Sequence, residues 1–215
     1  MVVLHYTAMD TAKAALERLC DPEVEVSAHY LISESGQIWQ LVDEDKRAWH
    51  AGAGKWGGVS DVNSRSIGIE LANRGDCPFP EPQMAALERL LTGTMKRWNI
   101  PPERVIGHSD MAPDRKQDPG ARFDWRRLAL QGLSVWPDIQ RADYAGQEGW
   151  DALAILEIGK SLKTFGYVMP DNDMAPIHVY NAFCTRFGCA GPDNRGYAIA
   201  VAHDLATRFP VKQDG

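Results

Sequence analysis

Val2-Val3-Leu4-His5 is a short apolar run that ends in a histidine, and Val105-Ile106-Gly107-His108 repeats the pattern later in the chain. Continuous apolar runs of this length are typical of buried β-strands. The loop after the second run carries an aspartate in Asp118-Pro119-Gly120. Imidazole and carboxylate groups suit Zn²⁺, and three protein ligands leave a fourth position for water, as in catalytic sites. The three segments therefore predict strands that bring a catalytic metal site together.

Strand and helix patterns alternate over the first part of the chain. Apolar β-like segments occur at residues 28–32, 38–42 and 66–71, and apolar residues recur at helical spacing after Thr11 and over 82–98. The first two of these strands flank Gly36 and predict a hairpin. Asp10 or Thr11 is suited to capping the first helix. Strands mixed with helices predict an α/β (α+β) layered domain that ends near residue 130.

The C-terminal part of the chain has a different pattern. Residues 131–147 contain Pro137 and several glycines without strong periodicity, so we interpret them as a linker. In residues 148–215 three apolar faces recur at helical spacing: Leu153, Leu156, Ile158, Leu162 and Phe165; Ile177, Val179, Tyr180, Phe183 and Phe187; and Ala198, Ala200, Val201, Leu205 and Phe209. They predict a small three-helix bundle near the lower size limit for an independent core.

Charge and hydropathy exclude two classes of partner. The formal charge of −6 and the pI near 5.5 argue against a nucleic-acid partner, because binding to phosphates needs a basic surface. No apolar run approaches the roughly 20 residues that a membrane-spanning helix needs. We therefore expect no nucleic-acid partner and no transmembrane segment, and we expect the protein to be a monomer.

The N-terminus and the cysteines bear on the cellular compartment. Met1 leads directly into the first apolar run, with no basic segment and no signal-peptide cleavage site. Cys20, Cys77, Cys184 and Cys189 do not form the pattern of a disulfide framework, and the last two have no second pair to complete a zinc ribbon. We expect a cytoplasmic protein with reduced cysteines. If a leader is missing from this chain, the alternative is the periplasm or outer membrane.

His5, His108 and Asp118 are the candidate metal ligands. Each has an ordinary alternative, since a single histidine is more often a hydrogen-bonded core or surface residue and Asp-Pro-Gly is a common turn. The position of Asp118 shortly after a strand-terminal histidine favours the metal site. His178 and His203 lie in the helical C-terminal part, away from carboxylates of suitable spacing, and are not candidates.

Glu70 and Lys116 are candidates for the chemical step. Glu70 closes the apolar strand Ile67-Gly68-Ile69-Glu70, where burying a carboxylate is costly without a partner. Facing the metal it would act as a general base for the attacking water, whereas facing solvent it would be an ordinary strand-end glutamate. Lys116 lies two residues before Asp118, so in an extended loop both side chains point to one side. Its ammonium would stabilise an oxyanion, and its alternative role is a solvated surface charge.

Trp49 precedes a glycine-rich loop, in the sequence Trp49-His50-Ala51-Gly52. A tryptophan beside a flexible loop is suited to forming one wall of an open groove. A tryptophan in the protein core is an equally good interpretation, so the sequence leaves its position open.

Five segments together resemble the type 2 N-acetylmuramoyl-L-alanine amidases, zinc enzymes of bacterial cell-wall turnover and recycling. They occur in the family's order, and their combination is highly specific although no single segment is. The segments are Val3-Leu4-His5-Tyr6-Thr7, Ser27-Ala28-His29-Tyr30-Leu31-Ile32, Arg47-Ala48-Trp49-His50-Ala51-Gly52, Asn63-Ser64-Arg65-Ser66-Ile67-Gly68-Ile69-Glu70 and Gly107-His108-Ser109-Asp110-Met111-Ala112-Pro113-Asp114-Arg115-Lys116-Gln117-Asp118-Pro119-Gly120.

The resemblance implies a central mixed β-sheet flanked by helices, with one zinc ion held by His5, His108 and Asp118. It implies Glu70 as the catalytic acid/base and Lys116 as the oxyanion stabiliser. The reaction would be hydrolysis of the amide that joins the lactyl group of N-acetylmuramic acid to L-alanine of the stem peptide, and the partner would be peptidoglycan or an anhydromuropeptide.

Other positions in the matched segments are assigned by their place in the motif alone. By this criterion Tyr6, Trp49 and Arg115 would line the substrate groove. His29 and His50 do not stand at ligand positions, so the resemblance implies structural or groove-lining roles for them.

The C-terminal part resembles a small three-helix peptidoglycan-binding domain that is appended to some members of this family. Leu162-Lys163-Thr164-Phe165-Gly166-Tyr167 resembles that domain's helix ending, and Val179-Tyr180-Asn181-Ala182-Phe183 resembles its second helix. Cys184 stands where a glutamine is usual, which argues against glycan binding and favours packing against the catalytic domain. The expected division is a catalytic domain at 1–130, a linker at 131–147 and a peptidoglycan-binding-like domain at 148–215.

The sequence leaves two alternatives to an amidase. A peptidoglycan-recognition module would keep the groove and lose the zinc, and the presence of every expected ligand argues against it. A zinc peptidase would cut inside the stem peptide instead. For an amidase, the substrate is intact murein or a soluble anhydromuropeptide. A wall-binding tail favours the first, and the lack of a leader favours the second.

Overall fold

The computed structural model describes residues 1–144, 152–169 and 174–212. Residues 145–147 of the predicted linker, residues 148–151 of the predicted C-terminal domain and the side chain of Leu153 lie outside the described residues. The strands are β1 (Val2–Tyr6), β2 (Tyr30–Ile32), β3 (Ile38–Gln40), β4 (Ile67–Leu71) and β5 (Val105–Gly107). The helices are α1 (Ala12–Leu19), α2 (Val62–Arg65), α3 (Glu81–Trp98), α4 (His108–Met111), α5 (Trp125–Leu130), α6 (Ala152–Phe165), α7 (Ala175–Phe187) and α8 (Arg195–Arg208). None of the described helices combines the length and apolar character needed to cross a bilayer.

The five strands form one mixed sheet in the order β3-β2-β4-β1-β5, which confirms the expected fold class. β1 pairs in parallel with β4 and β5, β2 pairs in parallel with β4, and β3 is antiparallel to β2. The register places His5 opposite Glu70 and Leu4 opposite Gly107. Four strands are therefore parallel, and the carboxyl ends of β4, β1 and β5 lie next to one another at one edge of the sheet.

Both faces of the sheet are covered, which explains why β1 is a continuous apolar run. Val2 and Leu4 pack with Leu87 of α3 in one buried cluster. Val3 points to the other face, into a cluster that includes the C-terminal helices. Full burial of such side chains contributes about 1.5–3 kcal/mol each. Because successive side chains of a strand alternate between faces, His5 lies on the same side of the sheet as Val3.

The long helix α3 follows directly from its sequence. Met84, Leu87 and Leu91 are three and four residues apart and are all buried. Pro82 lies in the first turn, where its missing N–H removes no hydrogen bond. Asn99 ends the helix in the left-handed conformation, with φ of 50°, which asparagine tolerates better than most residues.

Two of the predicted strands are shorter than expected. β2 begins at Tyr30, later than predicted, and β3 ends at Gln40, earlier than predicted. The amides of Leu41 and Val42 both donate to the His29 carbonyl oxygen, at 2.8 and 3.4 Å. The regular ladder ends there because two donors share one acceptor.

The predicted three-helix bundle is present as α6, α7 and α8. Its apolar residues do not form a separate core. Phe165, Tyr167 and Phe183 belong to one buried cluster with Val3 and Trp56 of the N-terminal part. The Trp56 ring contacts Phe165 and Tyr167 edge-on, with centroids 5.6 and 4.9 Å away. The bundle therefore completes the apolar core on the second face of the sheet.

Candidate metal centre and active site

Three parallel strands bring the predicted site residues to one edge of the sheet. His5 lies in β1 opposite Glu70 in β4, and His108 follows β5 as the first residue of α4. Asp118 returns to the same edge, where its carbonyl oxygen accepts a hydrogen bond from the Ser109 amide at 2.9 Å. The carboxyl edge of parallel strands is where ligand sites form in open α/β sheets.

The ligand atoms of the three predicted metal-binding residues converge. His5 Nδ1 lies 2.9 Å from both His108 Nδ1 and Asp118 Oδ2, and the last two atoms are 3.0 Å apart. All three residues are buried. The corners of a tetrahedron with metal–ligand bonds of about 2.0–2.1 Å are about 3.3 Å apart, so these atoms have nearly the spacing of ligands to one ion. The described residues thus contain a group that could hold a metal at this edge.

The hydrogen bonding of His108 explains why the cluster suits a cation. Its Nε2 lies 2.8 Å from the Ala51 carbonyl oxygen, which only accepts, so Nε2 carries the proton and donates. In a neutral ring, Nδ1 then presents a lone pair toward Asp118 Oδ2, 3.0 Å away, and a carboxylate has no proton to offer. Two facing lone pairs repel each other, and a cation between them relieves that repulsion. Two imidazoles and a carboxylate are a donor set of catalytic zinc sites, so the residues present fit this metal.

Protonation states support the same interpretation. Burial, followed by the neighbouring His108 ring, lowers the pKa of His5 to about 4. Burial acts to raise the pKa of Asp118, but the two imidazole nitrogens that lie within 3.0 Å of its carboxylate hold that pKa well below its usual range. Near neutral pH, His5 is therefore a neutral imidazole and Asp118 a carboxylate, the forms that bind metals.

Glu70 is the unsatisfied carboxyl group at this edge. Its Oε2 is inaccessible to solvent and forms no hydrogen bond with any described residue. Burial, and secondly the charge of Asp118, raise the pKa of Glu70 to about 8, while Lys116 acts in the opposite direction. Most buried polar atoms have partners, so an exception needs an explanation. A carboxyl group that titrates near neutral pH beside three candidate metal ligands has the character of a general acid or base.

A cavity of about 440 Å³ opens over the cluster. Its wall includes Glu70 and Lys116, the three candidate ligands and all three predicted groove residues: His5, His108, Asp118, Tyr6, Trp49 and Arg115. Trp49 is 57% exposed, and the Arg47 guanidinium lies 4.3 Å from its ring centroid. The structure therefore excludes the alternative in which Trp49 belongs to the core.

Arg115 also contacts the backbone of the glycine-rich loop. Its Nε donates to the Ala53 carbonyl at 2.9 Å and its Nη2 to the Ala51 carbonyl at 2.6 Å. Gly52 has a left-handed φ of 61°, and a Cβ added there would lie 3.2 Å from the Arg115 guanidinium. Arg115 thus shapes this loop in addition to lining the cavity.

Arg18 lines the cavity although the sequence did not indicate it, and His50, for which a structural or groove-lining role was expected, lines the cavity too. Arg18 of α1 adds a cationic side chain to the cavity wall. His50 Nδ1 lies 3.0 Å from His5 Nε2, so His50 contacts a candidate ligand directly. Its place in a matched segment was the available signal. His29 fits its expected structural role, because both of its ring nitrogens bond to backbone groups.

Residues 1–121 match the family model of the N-acetylmuramoyl-L-alanine amidases, Amidase_2. The chain belongs to this family. The match covers more than half of the chain and includes every candidate ligand, catalytic and groove residue of this amidase.

Two curated relatives differ in how much of the amidase they match. The N-acetylmuramoyl-L-alanine amidase AmiD of Escherichia coli (strain K12) is 40% identical over 193 residues, which cover 80% of this chain and 68% of AmiD. The 1,6-anhydro-N-acetylmuramyl-L-alanine amidase AmpD of Haemophilus influenzae is 42% identical over 106 residues, which cover 49% of this chain and 58% of AmpD.

Two solved structures match the amidase over nearly its full length. One is E. coli AmiD in complex with the substrate anhydro-N-acetylmuramic acid-L-Ala-D-gamma-Glu-L-Lys, with a TM-score of 0.83, 37% identity and coverage of 97% of this chain and 89% of that chain. The other is AmpDh3 from Pseudomonas aeruginosa in complex with anhydromuramic pentapeptide, with a TM-score of 0.84, 30% identity and coverage of 98% and 92%. At this coverage the matches extend into the C-terminal helices.

Proposed function

We propose that this chain is a zinc-dependent amidase that hydrolyses the amide between the lactyl group of N-acetylmuramic acid and L-alanine of the stem peptide, in peptidoglycan turnover or recycling. The observation that carries the proposal is the convergence of one atom each from His5, His108 and Asp118, separated by 2.9–3.0 Å. They lie in a cavity that also contains Glu70. These three residues hold one zinc ion per chain in this proposal, and membership of the family supports it.

In the chemical step Glu70 transfers protons and Lys116 stabilises the oxyanion. When bound, zinc supplies a polarised scissile carbonyl and a water molecule with a pKa lowered toward neutrality. Glu70 takes up the proton of the attacking water at its unpaired Oε2 and returns a proton to the leaving amine of L-alanine. Burial raises the pKa of Glu70 and the charge of a bound metal would offset that shift, so the carboxyl group is suited to proton transfer in both directions. Lys116 provides positive charge to the developing oxyanion from the cavity wall.

Tyr6, Trp49 and Arg115 bind the substrate in this proposal. The Tyr6 ring packs closely on Gly75, where an added Cβ would lie 2.8 Å from Tyr6 Cζ, so its position depends on that glycine. The exposed Trp49 ring offers an apolar face for a sugar ring. Arg115 and Arg18 give the cavity positive charge that complements the carboxylates of a stem peptide.

A soluble anhydromuropeptide is the substrate class that we favour over intact murein. E. coli AmiD has been solved with a substrate of this class, and P. aeruginosa AmpDh3 with an anhydromuramic pentapeptide. Both proteins match this chain over almost all of its length. The cavity, of about 440 Å³, has the size of a small-molecule site.

We divide the chain into a catalytic domain, a linker and a peptidoglycan-binding-like domain, at residues 1–130, 131–147 and 148–215. The end of the family match at residue 121 supports the first boundary. Cys184 is only 2% exposed, so the residue that replaces the usual glutamine does not face a glycan. Packing against the catalytic domain is the proposed role of the bundle.

Product analysis tests the proposed reaction. The zinc-loaded protein is incubated in parallel with soluble anhydromuropeptides and with intact sacculi, and the products are identified by mass spectrometry. We expect anhydro-N-acetylmuramic acid and an intact peptide with a free N-terminal alanine, released faster from the soluble substrate. A chelator should stop the reaction and added zinc should restore it.

The same experiment separates the alternatives. Cleavage inside the peptide would identify a peptidase, and release only from sacculi would refute the substrate class. A protein that binds muropeptides without zinc and releases no product would be a recognition module.

A further inference from the structure

His50 connects a candidate metal ligand to the backbone through a chain of hydrogen bonds. His50 Nδ1 lies 3.0 Å from His5 Nε2, and His50 Nε2 lies 3.2 Å from Ser66 Oγ. Ser66 Oγ in turn lies 2.5 Å from the Val62 carbonyl oxygen. We call Val62, Ser66, His50 and His5 the imidazole chain.

The donor and the acceptor of each hydrogen bond in the imidazole chain follow from the Val62 carbonyl oxygen. A carbonyl oxygen only accepts, so the Ser66 hydroxyl donates to Val62 and must accept from His50 Nε2–H. With its proton on Nε2, the neutral His50 ring accepts at Nδ1. His5 therefore donates from Nε2 to His50 and keeps a lone pair on Nδ1. That lone pair points at the position shared by His108 Nδ1 and Asp118 Oδ2.

Ala51, which follows His50 in the polypeptide, fixes the tautomer of the second imidazole, His108. The Ala51 carbonyl accepts the Nε2–H of His108 at 2.8 Å, which leaves the lone pair of His108 on Nδ1. Asn63 holds both neighbours in place, because its Oδ1 accepts from the His50 amide at 3.0 Å and from the Ala51 amide at 2.8 Å. One buried asparagine thus fixes the dipeptide that orients both imidazoles.

Gly68 of β4 makes room for the His50 ring. A Cβ added to Gly68 would lie 2.4 Å from His50 Cγ, which is too short for a non-bonded contact. The ring therefore packs directly on the backbone of the strand that also carries Glu70. Its orientation is set from two sides, by this contact and by Ser66.

We propose that His50 is a positioning residue, which together with Ser66 and the Asn63-held loop selects the imidazole tautomer of His5 that binds metal through Nδ1. The inference rests on the proposed zinc site and assigns its outer hydrogen bonds. Partners of this kind typically change metal affinity by about 10–100-fold when they are removed. His50 itself makes no bond to the metal or the substrate in this assignment.

A matched pair of substitutions tests the role of the acceptor on His50. Asparagine places an oxygen near the position of Nδ1, and leucine has the same shape without an acceptor. We expect His50→Asn to keep the zinc dissociation constant within about 3-fold of wild type, and His50→Leu to weaken it about 10–100-fold, measured by chelator competition. His203→Leu is the control, since it removes an exposed histidine of α8 that lies outside the site, and it should leave zinc affinity within about 3-fold.

A second readout reports on the proton itself. In the zinc-loaded wild type, the His5 Nε2–H should be visible by NMR as a slowly exchanging imidazole proton, retained in His50→Asn and lost in His50→Leu. If His50→Leu does not fold, Ser66→Ala decides the question. It removes the acceptor of His50 Nε2–H and should weaken zinc binding several-fold.

The outcomes separate this inference from the proposed function. Absence of zinc binding in the wild type would refute the zinc site itself. Zinc binding in the wild type that is equal in His50→Asn and His50→Leu, or unchanged in Ser66→Ala, would refute the positioning role alone.

Discussion

Helix α4 contributes one residue to each of two buried polar clusters that balance their charges differently. They are the metal cluster (His5, His108 and Asp118) and the anchor cluster (Asp110, Tyr167 and Arg186). In the anchor cluster, Asp110 accepts hydrogen bonds from the Gly107 amide at 2.7 Å, the Tyr167 hydroxyl at 2.5 Å and Arg186 Nη1 at 2.6 Å. The carboxylate there meets donors and a positive charge that the protein itself supplies.

The metal cluster has the opposite balance. Its aspartate is also buried, but the nitrogen of His108 that faces it carries a lone pair, and the imidazole chain assigns a lone pair to the facing nitrogen of His5 as well. Asp110 and Asp118 thus differ in their surroundings: hydrogen-bond donors face the carboxylate of Asp110, and acceptors face that of Asp118. Burial of a carboxylate does not by itself identify a ligand site; a carboxylate facing acceptors does.

The substitution His108→Ala removes one ligand from the metal cluster and leaves the anchor cluster in place. Loss of one of three ligands should abolish zinc binding and reduce amidase activity by more than about 10³-fold, because metal stabilisation of the transition state amounts to several kcal/mol. The anchor cluster should be unaffected, so the zinc-free variant should still unfold cooperatively, less stable than the zinc-free wild type only by the loss of one buried side chain and its hydrogen bond to Ala51. Metal analysis, activity and thermal unfolding check these three statements, and stoichiometric zinc in the variant would refute the ligand assignment.

Glu70→Gln separates chemistry from metal binding. The variant should keep one zinc per chain and lose about 10²–10⁴-fold in turnover, the usual contribution of a general acid–base group. Steady-state kinetics on an anhydromuropeptide, with zinc content measured on the same sample, gives both values. Wild-type rates would remove Glu70 from the mechanism.

Arg186→Met breaks the anchor cluster and should act on stability. It leaves the Asp110 carboxylate buried without its positive partner, which typically costs about 3–5 kcal/mol of unfolding free energy. Tyr167→Phe is the milder control, since it removes one hydrogen bond to a charged group, worth about 1.5–3 kcal/mol. Urea unfolding of the zinc-free proteins measures both. If Arg186→Met were as stable as wild type, the bundle would not be anchored through this ion pair.

The carboxylate of Glu44, like that of Asp110 in the anchor cluster, is surrounded by hydrogen-bond donors. It accepts hydrogen bonds from Tyr30, Thr94 and Trp98 as well as from Arg97. The bonds from Arg97, counteracted by burial and assisted by those from Trp98 and the others, lower the pKa of Glu44 to about 2. Glu70, with no such donors, shifts in the opposite direction.

The sign of the Glu44 shift gives a pH dependence. Its folded-state pKa lies below its unfolded value, so the stabilisation is complete above about pH 4.5 and is lost as the pH falls toward 2. The contribution is about 2 kcal/mol after allowance for solvent screening of the half-exposed Arg97. Zinc-free wild type and Glu44→Gln should therefore differ in urea unfolding at pH 6, and the difference should shrink as the pH falls toward 2. A constant difference across this range would contradict the assignment.

The apolar runs of the sequence predicted the strands, and the pairing of these strands brings the residues of the metal cluster together. β1 and β5 are apolar runs because both faces of the sheet are covered, and parallel pairing then brings His5 and His108 to one edge. The predicted ligand set thus follows from two short segments and one loop.

The remaining features depend on contacts between distant parts of the chain. Arg186 is a charged residue on an amphipathic helix, a pattern that normally indicates solvent, yet it is buried because Asp110 meets it in the fold. Trp49 is exposed at the cavity wall, and its ring packs against the side chain of Arg47, a contact that the sequence alone does not give. His5 and His50 are separated in the chain by α1, β2 and β3, so sequence spacing contains no signal for their contact.

Zinc K-edge X-ray absorption of the zinc-loaded protein tests the metal cluster most directly. The structure predicts one zinc per chain with nitrogen and oxygen neighbours at about 2.0–2.1 Å, including the scattering signature of two imidazoles, and no sulfur. Sulfur scattering at about 2.3 Å, or a protein that binds no zinc, would contradict the assignment of His5, His108 and Asp118 as its ligands.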